Sequence, residues 1–179
     1  MTEEHEFKGF PKIPRLKRSV VITEKIDGTN AQVYISEDMG VIKAGSKNRW
    51  ITPENDNYGF ARWVMVHENE LRELGPGRHF GEWWGSGIQR RYNIEGKRFS
   101  LFNTQRWSDE RPDCCDVVPV LYHGEFSTEA VENQLERLRT KGSAASAGFM
   151  DPEGIVCYMA ASRSMFKVTV NDDEKPKGI

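Results

Sequence analysis

Alternating and β-branched runs along the chain predict short strands. Residues 19–23 are a β-branched run, and residues 31–35 alternate, with Val33 and Ile35 on one face and Gln32 and Tyr34 on the other. We expect these two strands to form a hairpin with residues 25–30 at the connection, where Gly28 supplies the backbone freedom that the turn needs. Further strand patterns occupy residues 41–44, 79–84, 98–102, 117–122, 154–158 and 164–170.

Two segments repeat apolar residues at helical spacing. The first covers residues 58–74 and ends at Gly75-Pro76-Gly77. The second begins after Ser127 as the N-cap and closes at residues 141–142. Its apolar positions are Val131, Leu135 and Leu138.

Strands separated by turns, with two intervening helices, predict an α+β fold of antiparallel sheets with flanking helices. The strand connections are too short for a parallel doubly wound sheet. Residues 143–148 are small and predict a mobile loop.

The length of 179 residues suggests a single domain covering residues 1–179. Residues 1–18 form a basic N-terminal arm that contains Pro11 and Pro14, and residues 171–179 form a charged tail. The net charge of −2 excludes a global basic field, so a nucleic-acid partner would be held by local patches.

Cysteine content and the N-terminus bear on location. Cys114, Cys115 and Cys157 are an odd set without the spacing of a zinc site, which favours a reducing, cytoplasmic compartment. Residues 1–6 are polar and acidic, unlike a secretory signal. No apolar run approaches the roughly 18–20 residues that span a bilayer, so we expect a soluble protein with no membrane partner.

The candidate chemistry centres on Lys25, which begins the sequence KIDGTN at residues 25–30. A lysine must lose its proton before it can attack phosphorus, and both burial and nearby positive charge favour that loss. A second lysine, such as Lys167, or a bound divalent cation would supply the charge. Asp27 opposes the loss unless it orients a metal or its water shell, and extended backbone at residues 25 and 27 would put both side chains on one face.

Each motif alone has a simpler interpretation. KIDGTN is also typical of a solvated lysine before a turn. Glu82 lies in an aromatic-rich strand and has either a ribose or a buried salt bridge as its partner. Phe102 is either a core residue or a platform for a base, and Lys167 either binds an anion or belongs to an edge strand.

Taken in order, the motifs resemble the covalent nucleotidyltransferase superfamily of RNA ligases, DNA ligases and capping enzymes. The resemblance is closest to the RNA ligase 2 family, and Asn30 is the variant that favours this family over DNA ligases. It covers roughly residues 7–170. The matching segments are KIDGTN at 25–30, SKNR at 46–49, FGE at 80–82 with GSGIQ at 85–89, FSLF at 99–102, EGIV at 153–156 and FK at 166–167.

This resemblance implies an ATP-grasp-like nucleotidyltransferase domain that acts as an ATP-dependent RNA ligase. Lys25 would attack the α-phosphate of ATP, giving a lysyl-AMP intermediate and pyrophosphate. AMP would then pass to an RNA 5′-phosphate, and a 3′-hydroxyl would displace AMP to seal the strand.

The same resemblance implies roles for individual residues. Lys25, Lys167 and Asp27 would be catalytic, and Asp27 and Glu153 would organise Mg²⁺ or Mn²⁺ directly or through water. Arg49 and Glu82 would hold ribose or phosphate, Phe102 would stack the adenine, and Lys167 would contact the α-phosphate. The implied nucleotide-binding residues are Glu24, Asn30, Arg49, Glu82, Phe102, Glu153 and Lys167.

Two departures from the family pattern affect the later steps. The family usually ends with two lysines separated by one residue, whereas Thr169 or Met165 replaces one of them here. Lys175 or Lys177 is an alternative source of charge. The chain stops shortly after this motif, so RNA would dock on the catalytic domain, on a helper protein, or on both.

RNA contacts are expected at local basic groups, where several phosphates would be neutralised together. The candidates are Lys12, Arg15, Lys47, Arg90 and Arg91. Two other functions stay open within this interpretation. One is a DNA ligase or a GTP-dependent capping transferase, and the other is a catalytically reduced nucleic-acid- or nucleotide-binding module.

Overall fold

The computed structural model describes residues 5–173, in which ten strands and four α-helices are defined. The strands are β1 (Ser19–Lys25), β2 (Thr29–Ile35), β3 (Ile42–Ser46), β4 (Trp50–Ile51), β5 (Gly77–Gly85), β6 (Lys97–Leu101), β7 (Asp116–Val117), β8 (Val120–Glu125), β9 (Gly154–Met159) and β10 (Ser164–Thr169). The helices are α1 (Phe60–Val66), α2 (Glu68–Leu71), α3 (Thr104–Trp107) and α4 (Thr128–Lys141), and a 3₁₀ turn covers Arg72–Leu74.

The strands form two sheets, which confirms the predicted α+β class. The first sheet has the order β10-β9-β1-β8 and is antiparallel throughout. The second sheet has the order β4-β3-β2-β5-β6-β7. Its last pair, β6 with β7, is parallel. This pair differs from the prediction, which had only antiparallel sheets.

The predicted hairpin between the first two strands is wrong. β1 pairs with β8 and β9 in the first sheet, whereas β2 pairs with β3 and β5 in the second. Residues 26–28 therefore carry the chain from one sheet to the other. Gly28 is required there because a Cβ would lie 2.3 Å from the Trp83 carbonyl oxygen. The glycine is therefore needed for close packing of the backbone against Trp83, and not for the backbone freedom of a hairpin turn that we expected.

One predicted strand, residues 117–122, also divides between the sheets. Asp116 and Val117 pair with β6, and the chain then pairs with β1 from Val120 onward. Pro119 lies at the break and has no backbone N–H to donate, which suits a position where the ladder changes partner.

Both predicted helical segments are present. The first is divided at His67, whose φ of −100° and ψ of 17° leave the helical region, and it ends before Gly75 as expected. In α4, the Ser127 hydroxyl accepts a hydrogen bond from the Ala130 N–H, and Gly142 follows the last turn. Leu135 and Leu138 are buried against the first sheet.

Three apolar clusters form the core of the described residues. One lies between the second sheet and α1, and another lies between the first sheet and α4. The third joins the sheets and consists of Ile26, Trp84, Tyr92 and Val118. Because Ile26 follows Lys25 directly, this junction anchors the end of β1.

Residues 5–18 and 171–173 lie outside the defined helices and strands. Residues 5–18 of the predicted arm contain no helix or strand and are exposed, while residues 1–4 lie outside the described part of the chain. Of the predicted tail, residues 174–179 also lie outside it, and with them Lys175 and Lys177. Among residues 5–173, no helix combines the length and apolar character that a bilayer crossing requires.

Candidate active site

Lys25 ends β1 at the junction of the two sheets. Its backbone pairs with Gly154 of β9, and its Nζ donates a hydrogen bond of 2.8 Å to Oε2 of Glu153. The lysine side chain is 23% exposed, whereas that of Glu153 is 2% exposed. The amine therefore lies between a buried carboxylate and an opening to solvent, where a ligand can reach it.

Carboxylates are concentrated around this amine. Among residues 5–173, the buried acidic side chains are Glu24, Asp27, Glu82 and Glu153. Lys25, Glu153 and Asp27 all act electrostatically on Glu82. Burying several carboxylates in one place is costly, so their grouping is typical of a functional site.

Glu82 lies in β5 opposite Asn30 of β2 and Ser100 of β6. Its Oε1 accepts a hydrogen bond of 3.0 Å from the Gly28 N–H. This backbone hydrogen bond, and not a salt bridge, is the contact that Glu82 makes within the described residues. Burial raises the pKa of Glu82 to about 7, although the Gly28 hydrogen bond and the charge of Lys25 act in the opposite direction. Its protonation therefore changes near neutral pH.

Glu24 points to the opposite side of β1 from Lys25, because successive side chains alternate along a strand. Its carboxylate accepts hydrogen bonds from the Ser143 hydroxyl (2.6 Å), the Ala144 N–H (2.7 Å) and the Ala145 N–H (2.9 Å). Burial raises the pKa of Glu24, while these hydrogen bonds oppose the rise. The carboxylate thus holds the loop, and its implied contact with the nucleotide stays a prediction.

The predicted mobile loop is attached at two points. Glu24 binds its first residues, and the Ser146 hydroxyl donates a hydrogen bond of 2.7 Å to the Tyr92 carbonyl oxygen. Ser143 and Ser146 are buried. The small residues that suggested mobility instead allow the loop to pack closely on the sheet junction.

Asp27 is held by two residues of one loop. Its N–H donates a hydrogen bond of 2.7 Å to the Tyr92 hydroxyl, and its Oδ2 accepts one of 3.0 Å from Arg90 Nε. Arg90 also donates to the Asp151 carbonyl oxygen at 2.8 Å. Arg90 therefore connects Asp27 to Asp151, and its predicted contact with RNA stays a prediction. β1 ends at Lys25, so the extended backbone envisaged through Asp27 is not present.

Sequence reasoning missed Tyr92, which is fully buried. The loop that carries it contains four non-glycine residues at positive φ, namely Gln89, Arg91, Tyr92 and Asn93. Such backbone conformations are sterically costly and often occur at functional sites. Arginine residues on both sides gave this segment the appearance of a basic surface loop, so the sequence carried no signal for a buried phenol.

The second sheet presents an open face beside Lys25. The register places Gln32, Phe80 and Phe102 side by side, because Gln32 pairs with Phe80 and the Phe102 N–H donates to the Phe80 carbonyl oxygen at 3.0 Å. Phe80 is 51% exposed and Phe102 is 39% exposed. Asn30, which pairs with Glu82 on the same face, is also exposed. Two exposed aromatic rings there offer a surface on which a base can stack.

Lys167 lies on the same face of the first sheet as Lys25. It pairs with Val156 of β9, which pairs with Thr23 of β1, two residues before Lys25. Thr169 pairs with Gly154, which itself pairs with Lys25. Thr169 is therefore aligned with Lys25 across the sheet, and its hydroxyl donates a hydrogen bond of 2.8 Å to the Asn171 carbonyl oxygen.

The remaining predicted residues make no hydrogen bond to Lys25 among residues 5–173. Arg49 lies before β4 and donates hydrogen bonds to the carbonyl oxygens of Asn55 (3.1 Å) and Asp56 (3.3 Å). Four other basic residues, proposed as RNA contacts, are exposed and form no ion pair within residues 5–173. They are Lys12, Arg15, Lys47 and Arg91.

Comparison with solved structures identifies relatives of this fold. A Naegleria gruberi RNA ligase variant with ATP and Mn has a TM-score of 0.64 and 24% identity, covering 86% of this chain and 50% of that one. Another variant, with AMP and Mn, has a TM-score of 0.63 and 22% identity, covering 85% and 49%. The same organism's RNA ligase with PPi has a TM-score of 0.62 and 22% identity, covering 85% and 49%.

The chain therefore spans about half the length of these structural relatives. No curated protein matched the sequence. A family model described as RNA ligase matches residues 18–169. Because this match covers most of the chain and the fold agrees with it, the protein belongs to the RNA ligase family.

Proposed function

We propose that this chain is an ATP-dependent RNA ligase domain that forms lysyl-AMP on Lys25 and seals RNA with 5′-phosphate and 3′-hydroxyl ends. The observation that supports this most directly is the position of the Lys25 amine. It is in contact with buried Glu153, at the junction of two sheets whose open faces carry Lys167 on one side and Phe102 on the other. The structural relatives with ATP, AMP and PPi are consistent with this chemistry.

In the first step, the neutral Lys25 amine attacks the α-phosphorus of ATP. An N–P bond forms, the bond from the α-phosphorus to the bridging oxygen breaks, and pyrophosphate leaves. Lys167 lies on the same face, and we propose that it neutralises charge on the transferred phosphoryl group. The adenine would stack beside Phe80 and Phe102, with Asn30 and Glu82 towards the ribose.

In the later steps, an RNA 5′-phosphate oxygen attacks the phosphorus of lysyl-AMP, and the N–P bond breaks. A 3′-hydroxyl then attacks the RNA 5′-phosphorus, and AMP leaves with the bridging oxygen. Such an activity would suit the repair of broken RNA. Thr169 is aligned with Lys25 across the sheet, at a position where a second lysine would contribute positive charge. Because threonine carries no charge, these steps would depend more heavily on Lys167.

Carboxylate oxygens are the ligands that Mg²⁺ and Mn²⁺ prefer, and the buried carboxylates around Lys25 provide them. Asp27 and Glu153 would hold the ion directly or through water. When bound, the ion would supply positive charge to the phosphates and to the amine. Turning Glu153 away from Lys25 would remove the anionic partner of the amine, which favours its neutral form.

The proposal is tested by incubating the protein with α-labelled ATP or GTP and Mn²⁺, denaturing it, and measuring label on the protein. We expect label from ATP and none in Lys25→Ala or Lys25→Arg, because neither retains a nucleophilic amine. Lys141→Ala, an exposed lysine on α4, is the matched control and should label normally. Label that persists in Lys25→Ala would contradict the assignment of the nucleophile.

The other outcomes separate the alternatives. Label from GTP alone would indicate a capping transferase, and absence of label from both nucleotides would indicate a binding module. The labelled protein is then given nicked duplexes and single strands of RNA and DNA, without other proteins. Joining of RNA supports the proposed substrate, joining of DNA alone would indicate a DNA ligase, and joining only after a helper protein is added would show that docking requires a partner.

A further inference from the structure

On the other face of the second sheet, a group of metal-ligating side chains lies outside the proposed active site. His67 occupies the junction of α1 and α2, Glu70 lies in α2, and Cys114 precedes β7. One ligand atom from each residue lies within 4.8 Å of the other two. His67 Nδ1 is 2.9 Å from Glu70 Oε1.

The geometry points to a site for a zinc-class divalent ion, and we propose that His67 Nδ1, the Glu70 carboxylate and the Cys114 Sγ are its protein ligands. Zn²⁺ bonds of about 2.0–2.3 Å in a tetrahedral arrangement place donor atoms about 3.3–3.8 Å apart. The observed separations are close enough to reach this arrangement through side-chain rotation. A nitrogen, a sulfur and a carboxylate oxygen suit Zn²⁺, whereas Mg²⁺ and Ca²⁺ favour oxygen alone.

The surroundings orient the His67 ring and leave the site open to solvent. The His67 ring packs at a centroid distance of 5.0 Å from the Trp63 ring, which restricts its orientation. The side chains of His67 and Glu70 are 30% and 45% exposed, so an ion can enter from solvent. A bound cation would stabilise the Cys114 thiolate that coordinates it.

Cys115 is the neighbouring alternative ligand, and its sulfur lies 3.9 Å from that of Cys114. It does not belong to the group whose atoms all lie within 4.8 Å, and it is buried in the apolar cluster behind the sheet. We assign the fourth coordination position to solvent. The ion would then connect the α1–α2 segment to the loop before β7, and stabilise the back of the second sheet.

The test uses the full chain, freed of metal by chelation in a non-thiol reductant and titrated with Co²⁺ in excess Mg²⁺. The excess Mg²⁺ occupies oxygen-ligand sites, and only a thiolate ligand gives sulfur-to-cobalt charge-transfer absorption. We expect one equivalent of Co²⁺ to produce this absorption and Zn²⁺ to abolish it. His67→Ala and Cys114→Ser should lose the absorption, and Glu70→Gln should weaken Co²⁺ binding.

Three variants serve as matched controls. Cys157→Ser removes a buried cysteine of the first sheet, His123→Ala removes an exposed histidine of β8, and Cys115→Ser removes the neighbouring thiol. All three should retain the absorption. Its absence in wild type, its persistence in Cys114→Ser, or its loss only in Cys115→Ser would overturn the assignment.

A second measurement covers the case in which a variant folds poorly. Zn²⁺ should protect Cys114 from alkylation in the wild type, as measured by mass spectrometry of its peptides, and leave the alkylation rate of Cys157 unchanged. In His67→Ala this protection should disappear. Equal protection of Cys114 and Cys157 would indicate a general effect of Zn²⁺ on folding and would contradict a local site.

Discussion

At the scale of single residues, Glu82 shows how burial changes chemistry at the active site. Its carboxyl group has a pKa of about 7, against an ordinary value of 4.5, chiefly because it is buried. Glu24, on the other side of β1, is shifted in the same direction by burial. Each group makes the folded state bind protons more strongly than the unfolded chain does.

This shift predicts a pH-dependent stability difference for Glu82→Gln. Between pH 4.5 and about 7, the folded protein keeps a proton at Glu82 that the unfolded chain has released, so the wild-type free energy of unfolding falls as pH rises. The variant lacks this titrating group, so its free energy of unfolding should not show this fall. Between about pH 5 and about pH 8, the difference in free energy of unfolding (Glu82→Gln minus wild type) should therefore increase by up to about 3 kcal/mol.

Urea denaturation across this pH range measures the difference, and comparison with wild type removes the contribution of Glu24. Glu132→Gln, at an exposed position on α4, is the matched control and should follow the wild-type curve. Parallel curves for Glu82→Gln and wild type would show that burial does not shift this carboxyl group.

Tyr92 supports a second prediction at this scale. Tyr92→Phe removes the hydroxyl that accepts the Asp27 N–H, leaving that buried donor without its acceptor at a cost of about 1–3 kcal/mol. Asp27 should then be less well positioned, and Lys25 should label more slowly with ATP. Denaturation and labelling rates measure the two effects.

Tyr122→Phe is the control for Tyr92→Phe, because the Tyr122 hydroxyl donates to the Glu125 carbonyl oxygen at an exposed position. It should have little effect on either measurement. If Tyr92→Phe also labels at the wild-type rate, then Tyr92 does not position Asp27 for the reaction.

At the scale of elements, close pairing of β9 with β10 brings Lys167 and Thr169 level with β1. Gly154 makes this pairing possible, since a Cβ at that position would lie 2.2 Å from the Val168 carbonyl oxygen. The neighbouring atom is backbone, so the strands themselves would have to separate. The glycine at the start of β9 is therefore a packing requirement of the active-site sheet.

We expect Gly154→Ala to destabilise the protein by about 1–3 kcal/mol and to reduce labelling of Lys25, because β10 would move away from β1. Thermal denaturation and hydrogen exchange in β10 measure these effects. Gly9→Ala lies in the arm with no atom within 4 Å of its added Cβ, and it should behave as wild type. Wild-type exchange rates in Gly154→Ala would contradict this account.

At the scale of the whole molecule, the basic side chains available to RNA are dispersed, and two of the candidate contacts lie on the N-terminal arm. Lys12 and Arg15 belong to the exposed part of the arm, residues 5–18. The protein as a whole carries a net charge of −2, so RNA binding has to depend on such local groups.

The double variant Lys12→Ala/Arg15→Ala should bind RNA more weakly and with a salt dependence reduced by about 1–2 units of the log–log slope. Labelling of Lys25 by ATP should be unchanged, because it does not require RNA. The matched control is Arg139→Ala/Lys141→Ala, which removes equal charge from exposed positions on α4. Equal salt slopes for both double variants would show that the arm does not contact RNA.

The amino-acid sequence by itself determined the local structure and the residue types of the site. The Ser127 cap, the spacing of Leu135 and Leu138, and Gly142 were sufficient to define α4, since capping and periodicity act within a few residues. The KIDGTN segment, taken together with the downstream motifs in order, predicted Lys25 as the candidate nucleophile. The α+β class followed from the alternation of such local patterns.

Only the tertiary structure decided which groups meet. Lys25 contacts Glu153 across 128 residues of sequence, Arg90 binds Asp27, and β1 and β2 separate into two sheets. Strand pairing and buried hydrogen bonds depend on the whole path of the chain, which no local pattern contains. The same reason explains why spacing gave no sign that His67, Glu70 and Cys114 lie together.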